Sequence, residues 1–216
     1  MAFVAMTQKA LLERVLADGS LKRSSELLAA GVRPQAIANA LKSGFITRSA
    51  PGAYYLTEAS PAPEMIGIAS ACARMPHALV CMGSAAYLTG LLNCPPAVTW
   101  LALPPQAHLA KEGMSPARVL RWSYAGAFEV GVVQSKVCGV PIRHTDPART
   151  IVDLLRYARH LGGEGLGIDA GRNFLKRGGD PLAILSTAHA LRIPGKAQRT
   201  LHLVIETLQG SQTPAV

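Results

Sequence analysis

Three short helical patterns followed by a β-rich pattern occupy the first 60 residues, and this order restricts the fold more than any other feature of the chain. Apolar residues recur at helical spacing in three segments, which end at Gly19, Gly31 and Gly44. Pro34 falls in the first turn of the third segment, where proline is well tolerated. Because the second and third segments are joined through only Gly31 and Val32, they predict a helix-turn-helix.

The next residues change from a helical to an extended pattern. Phe45–Arg48 and Ala53–Leu56 are β-rich and flank a turn-forming Pro51-Gly52. Three helices followed by a hairpin predict a winged helix-turn-helix domain over residues 1–60, with the hairpin as its wing. Two prolines within residues 60–63 predict a linker, so that a second domain occupies residues 64–216.

The second domain contains both helical and strand-like patterns. Helical patterns over residues 64–74 and 84–91 precede a group of strand-like runs, and the pattern from Asp146 onward is helical again. The strand-like runs cover residues 98–103, 118–122, 128–133 and 136–143. We therefore expect an α+β protein in which a small mixed α/β domain ends in a helical bundle.

The charge of the chain points to a polyanionic partner. Lys and Arg number 22 against 13 Asp and Glu, which gives a formal net charge of +9. Residues 1–60 hold seven of the basic and four of the acidic residues, so the positive charge is spread over both domains. The four cysteines form no Cys-x-x-Cys pair and no apolar run is long enough for a membrane span. We expect a cytoplasmic protein that binds double-stranded DNA and no membrane.

The third helix supplies the candidate DNA-binding residues. If Ile37 and Leu41 point inward, Gln35, Asn39 and Lys42 point outward, and the third helix of a winged helix enters the major groove. Gln and Asn pair with adenine, whereas Arg and Lys neutralise phosphates or read guanine. The predicted DNA-binding residues are Arg33, Gln35, Asn39, Lys42 and Arg48, with further phosphate contacts from Lys22, Arg23, Arg172, Lys176 and Arg177. A protein-docking winged helix without a DNA role is the alternative.

Enzyme signatures are weak in the second domain. Gly83-Ser84 is similar to the opening of a nucleotidyltransferase, but residues 92–111 contain no Asp or Glu to hold metal ions, so Ser84 is interpreted as a helix start. The densest polar cluster runs from His144 to Asp153, where Asp146 before Pro147 is a good N-cap. We expect no catalytic residue, metal or cofactor. The alternative is a metal-dependent nucleic-acid enzyme, nuclease-like or nucleotidyltransferase-like, centred on His144, Asp146 and Asp153.

Two segments carry a family resemblance. MGSAAYLTGL at residues 82–91 and VPIRHTDPARTIVDLL at residues 140–155, placed after the winged helix, resemble the AbiEi-type antitoxins of type IV toxin–antitoxin systems. The resemblance spans residues 7–208. It implies a transcriptional repressor that binds the promoter of its own operon and also acts as an antitoxin. It further implies a nucleotidyltransferase toxin as functional partner, with or without a stable complex.

Overall fold

The computed structural model describes residues 6–50, 52–58, 61–109 and 116–210, and within them the fold is mixed α+β. The helices in the described residues are α1 Gln8–Leu16, α2 Ser24–Ala29, α3 Pro34–Lys42, α4 Pro63–Arg74, α5 Met82–Leu88, α6 Pro147–Arg156, α7 Gly165–Lys176, α8 Pro181–Ala190 and α9 Gly195–Gly210, with a 3-10 turn at Ala158–His160. The strands are β1 Lys22–Arg23, β2 Ile46–Ala50, β3 Ala53–Leu56, β4 Leu79–Val80, β5 Thr99–Leu103, β6 Ala117–Arg121, β7 Val132–Val137 and β8 Val140–Thr145.

The described chain divides into two compact units. The first contains the residues up to Pro76 together with Leu109 and residues 136–142, and the second contains the rest. The first unit therefore extends past the expected linker and includes α4, which packs against β2. None of the helices in the described ranges is long and apolar enough to cross a bilayer.

The first unit is built from α1–α4 and a three-stranded antiparallel sheet in the order β1-β3-β2. Its core is formed by one face of each of α1 to α3 and by the inner side of the sheet, and it contains Leu12, Leu16, Leu27, Val32, Ile37, Ala40, Ile46, Tyr54 and Leu56. Thr7 caps α1 through a hydrogen bond from the Ala10 amide. The helical spacing of these apolar residues explains why α3 keeps a polar outer face.

The five-stranded sheet has the order β6-β5-β4-β8-β7 and belongs to the second unit, except for residues 136–142 at the β7–β8 turn, which are assigned to the first. β4 pairs antiparallel with β5 and parallel with β8, and β5 pairs parallel with β6. Helices α5, α7, α8 and α9 pack around α6, whose residues 148–155 are all buried. Trp100 and Trp122 are both in this core. The sheet and the helical group together form one apolar interior.

Several local predictions are wrong. Leu28 and Ala38 are exposed, although the helical pattern of apolar residues predicts that both point inward. The run over residues 136–143 is not one strand but parts of β7 and β8, joined by a turn in which Cys138 and Gly139 both have positive φ. A two-residue turn of this kind matches the twist of a hairpin. A side chain on Gly139 would meet Ser20, whose neighbour Leu21 donates an amide hydrogen bond of 2.7 Å to the Cys138 carbonyl.

The predicted strand over residues 128–133 is mostly a turn. Residues 125–131 form successive turns, and only from Val132 does the chain become a strand. The carbonyl oxygens of Ala127, Phe128 and Val130 accept hydrogen bonds from arginine side chains of β8 and α6 instead of from a neighbouring strand. Side-chain donors thus replace the ladder that a strand would need.

Candidate nucleic-acid interface and the buried centre of the second unit

The outer face of α3 is a polar stripe on an amphipathic helix. At about 100° per residue, positions 35, 38, 39 and 42 fall within a sector of about 100°, and Ile37 and Ala40 lie on the opposite side. All four residues in the sector, Gln35, Ala38, Asn39 and Lys42, are exposed, whereas Ile37 is 6% exposed. The helix thus presents two amides, a methyl group and an ammonium to solvent.

Gln35 and Asn39 are joined directly. The Gln35 side-chain amide Nε2 donates a hydrogen bond of 3.0 Å to Oδ1 of Asn39, one helical turn further on. The bond leaves Oε1 of Gln35 and Nδ2 of Asn39 on the exposed side of the helix. Both a donor and an acceptor are therefore available at the solvent side of this pair.

The start of α3 is held by a residue of α1 that the sequence analysis did not identify. Oε1 of Gln8 accepts a 2.7 Å hydrogen bond from the backbone amide of Arg33, and Nε2 of Gln8 donates to the Gly31 carbonyl at 3.4 Å. Gln8 thus contacts both ends of the turn that joins α2 to α3. No sequence signal marks this role, because it depends on how α1 packs across that turn.

The other predicted contacts of the first unit lie in different surroundings. Arg33 is the exposed N-cap residue of α3, and Arg48 is exposed on β2. Lys22 forms an ion pair of 3.2 Å with Asp18, and Arg23 donates through its guanidinium to the Ala73 carbonyl. Lys22 and Arg23 are thus already bonded within the first unit.

The remaining three predicted contacts, Arg172, Lys176 and Arg177, belong to the second unit. Arg172 forms an exposed ion pair of 2.8 Å with Asp169, within α7. Lys176 and Arg177 are exposed at the end of the same helix. They share a helix end, where the last backbone carbonyls favour positive side chains.

The second site of interest is a buried ion pair on α6. Nε of Arg149 lies 2.8 Å from Oδ2 of Asp153, and both side chains are completely buried. The same guanidinium donates to the carbonyls of Val130 and Ala127 and to the hydroxyl of Tyr124. Three hydrogen bonds therefore tie α6 to the turns between β6 and β7.

Aromatic rings enclose this ion pair. The Arg149 guanidinium lies 5.2 Å from the Trp122 ring centroid, and Trp122 stacks on Tyr157 with 5.6 Å between the centroids. Arg156 covers Tyr124 at 3.8 Å from the ring centroid. Such contacts of guanidinium groups with ring faces add attraction when they are shielded from water.

Burial changes the pKa values of Asp153 and Arg149. Loss of hydration raises the pKa of Asp153 to about 6, although the neighbouring Arg149 guanidinium opposes this shift. Oδ1 of Asp153 and Nε1 of Trp122 are buried without a hydrogen-bond partner among the described residues. Burial also opposes the charge of Arg149, but Asp153 and Tyr124 raise the pKa of Arg149. Asp153 therefore helps to keep the charge of Arg149, while burial moves the pKa of Asp153 towards neutral pH.

His144 and Asp146, in the cluster from His144 to Asp153, both contact nearby backbone atoms. Asp146 caps α6 by accepting from the Arg149 amide at 2.8 Å, which confirms the predicted N-cap. Nδ1 of the half-buried His144 lies 3.0 Å from the Thr145 carbonyl. No group of three or more His, Cys, Asp or Glu residues that could hold a metal ion occurs within the described ranges. The arrangement connects α6 to its surroundings through hydrogen bonds.

Ser84 has a role other than the predicted cap. Helix α5 begins at Met82, and no side chain forms its N-cap bond. The buried Ser84 hydroxyl instead accepts a 2.9 Å hydrogen bond from the Trp100 amide on β5. The Gly-Ser pair therefore lies in the first turn of a helix, and the Ser84 hydroxyl bonds to the sheet.

Comparison with known proteins identifies a fold and no family. No protein-family model and no curated protein matches the chain. Among solved structures the chain is similar to the RV2827C protein from Mycobacterium tuberculosis, with a TM-score of 0.60 and 15% sequence identity. The match covers 95% of this chain and 83% of that chain. At this identity the likeness concerns the fold alone.

Proposed function

We propose that the protein is a sequence-specific DNA-binding repressor of its own operon, and that it serves as the antitoxin of a type IV toxin–antitoxin pair. The first unit is the DNA-binding domain, and α3 is the helix that enters the major groove. The observation that carries the proposal is the exposed polar stripe of α3, opposite a face that is buried in the core of the first unit.

The element order supports a winged helix-turn-helix. The chain runs α1-β1-α2-α3-β2-β3, with β3 between β1 and β2 in the sheet. A helix-turn-helix followed by a hairpin is the element order of a winged helix, and β2–β3 is then the wing. In such a domain the second helix of the motif lies in the major groove and the wing lies near the phosphate backbone.

The side chains of α3 match what a groove-binding helix needs. Amide side chains read base edges through paired donors and acceptors, and positive side chains bind phosphates. The stripe provides two amides, and it is bounded by Arg33 at the N-cap and Lys42 in the last turn of the helix. The formal net charge of +9 adds a long-range attraction to DNA.

Binding to the chain's own upstream DNA at several salt concentrations tests the proposal. Fluorescence anisotropy with a labelled promoter fragment, compared with a scrambled fragment, separates specific from non-specific binding. If about 4 to 6 phosphates are neutralised, log K falls with log salt at a slope of roughly −4 to −5. Equal affinity for both fragments at every salt concentration would contradict sequence-specific repression.

Charge reversal locates the interface. The variant Arg33→Glu/Lys42→Glu is expected to lose most of its affinity for the promoter, because it places negative charge against phosphates. The matched control is Lys196→Glu/Arg199→Glu, which makes the same change in net charge at exposed positions of α9. A protein-docking role for the first unit predicts that neither variant differs from the unaltered protein in DNA binding.

The antitoxin part of the proposal is supported by the resemblance of residues 82–91 and 140–155 to AbiEi-type antitoxins. In the structure these segments form α5, β8 and α6, and α5 packs against α6 in the second unit. The test is rescue of growth when the protein is co-expressed with a nucleotidyltransferase encoded next to it. If the charge-reversed variant still rescues growth, neutralisation of the toxin does not require operator binding.

A further inference from the structure

We infer that Asn39 reads an adenine in an A·T base pair and that Gln35 is the positioning residue that holds its amide ready to do so. This inference rests on the proposed DNA-binding function. It starts from the hydrogen bond between the two side chains, in which Nε2 of Gln35 donates to Oδ1 of Asn39. Both residues are exposed, Gln35 in the first turn of α3 and Asn39 in its middle.

The bond restricts the donors and acceptors that the pair presents. An amide oxygen accepts two hydrogen bonds and an amide nitrogen donates two. With one acceptor position of Oδ1 taken by Gln35, Asn39 still has one acceptor position and its Nδ2 donors. If both amides turn over together, the link between them persists and Asn39 again presents one donor side and one acceptor side.

Adenine is the base that matches this combination in the major groove. Its edge offers the N7 acceptor and the N6 amino donor side by side, whereas guanine offers two acceptors, N7 and O6. An Asn39 held in place would set its oxygen against O6 of guanine with no hydrogen between the two atoms. The paired amides therefore favour adenine over guanine.

The methyl group of Ala38 suits the thymine of the same base pair. Its exposed methyl group lies next to Asn39 in the sequence and on the same sector of α3. Thymine carries a C5 methyl group in the major groove, and small apolar side chains contact this group. Asn39 and Ala38 together present groups suited to the two bases of one A·T pair.

The link to Gln35 holds the Asn39 amide in place before DNA binds. A free asparagine side chain on the surface must be ordered when it binds, whereas a side chain that is already hydrogen-bonded loses less freedom. Gln35 therefore increases affinity for the adenine-containing site without needing a base contact of its own. Its loss should weaken binding while leaving the preferred base unchanged.

The test is selection of binding sequences from a randomised duplex library by the full-length protein and four variants. Asn39→Ala is expected to lose about tenfold or more of the preference for A·T over G·C at one position of the selected site, with the other positions unchanged. Asn39→Asp, which has no donor, should shift that preference towards cytosine, whose N4 amino group is a donor. In a follow-up competition between duplexes that carry thymine or uracil at this pair, Ala38→Gly should show a smaller preference for thymine than the unaltered protein.

Gln35→Leu tests the positioning role. It keeps the size of the side chain and removes the bond to Asn39, so affinity for the selected site should fall a few-fold while adenine stays the preferred base. 7-deaza-adenine lacks the N7 acceptor. Replacing the adenine with it should therefore weaken DNA binding by the unaltered protein and by Gln35→Leu, and should leave DNA binding by Asn39→Ala unchanged.

The outcomes separate the inference from the function on which it rests. If the unaltered protein selects a defined site and Asn39→Ala selects the same site with every base preference intact, the adenine assignment is wrong and DNA binding stands. If only Gln35→Leu behaves like the unaltered protein, the positioning role is wrong. If no sequence is enriched by any form of the protein, both the inference and the proposed function fail.

Discussion

Replacement of Arg149 by methionine should destabilise the second unit more than any exposed substitution. The guanidinium makes four hydrogen bonds, and the variant would leave the Asp153 carboxylate buried without its partner. Removing one member of a buried ion pair costs about 3–5 kcal/mol. For a chain of this length, 1 kcal/mol corresponds to about 2–4 °C in the melting temperature, so a loss of about 10 °C is expected.

Tryptophan fluorescence during urea unfolding measures this effect where it occurs. The chain contains two tryptophans, and both lie in the core of the second unit. The control is Arg172→Met, which removes the ion pair with Asp169, whose side chains are 43% and 56% exposed. Exposed pairs of this kind contribute less than about 1 kcal/mol. Equal losses of stability in the Arg149 and Arg172 variants would refute the reasoning.

A double variant identifies the source of the loss. If the unpaired charge of Asp153 is the main cost, then Arg149→Met/Asp153→Leu should be more stable than Arg149→Met alone. If the double variant is no more stable, the lost hydrogen bonds to the backbone carbonyls dominate instead. The two results lead to different accounts of why α6 is held in place.

Three further predictions concern backbone strain, pH and thiol reactivity. Gly139→Ala should cost more than Gly162→Ala in urea unfolding, because both glycines have positive φ but only at Gly139 would the added Cβ meet a neighbouring side chain. Burial raises the folded-state pKa of Asp153 to about 6, above its usual value near 4, so the folded state binds the extra proton and this group lowers the free energy of unfolding as pH rises from about 4 to 6. Asp153→Asn should remove that part of the pH dependence, and an unchanged dependence would contradict the assignment. At pH 8 a thiol reagent should label the exposed Cys94 in the folded protein and leave Cys72 unlabelled until unfolding, because burial raises the pKa of Cys72 to about 12.

Helix positions could be predicted from the sequence because they depend on local signals. Pro34 at the start of α3 and Gly44 after its end set the bounds of that helix, and the apolar period places Ile37 inside. The same period placed Gln35 and Asn39 outside, where the structure has them. Capping by Asp146 was equally local, since it needs only an acceptor side chain before a proline at the first helical position.

Features that depend on distant parts of the chain could not be predicted. Strand β1 is only two residues long and exists because β3 lies beside it, so no periodicity marks it. The sequence did not predict the turn at Cys138, because cysteine is an unusual residue at positive φ. The spacing of Gln35 and Asn39 allows a bond between them, but only the side-chain conformations show that it forms. The Gln8 contact depends on how α1 packs, which the sequence does not show.

The hydrogen bonds from Arg149 and Arg143 to the turns before β7 have a consequence for how this fold can change over evolutionary time. The shape of residues 127–130 is set by donors that lie on two other elements of the structure. An insertion or deletion there would separate the carbonyls from both guanidinium groups, although surface turns usually tolerate such changes. In related chains, the length of this turn and the residues at positions 143 and 149 should therefore vary together.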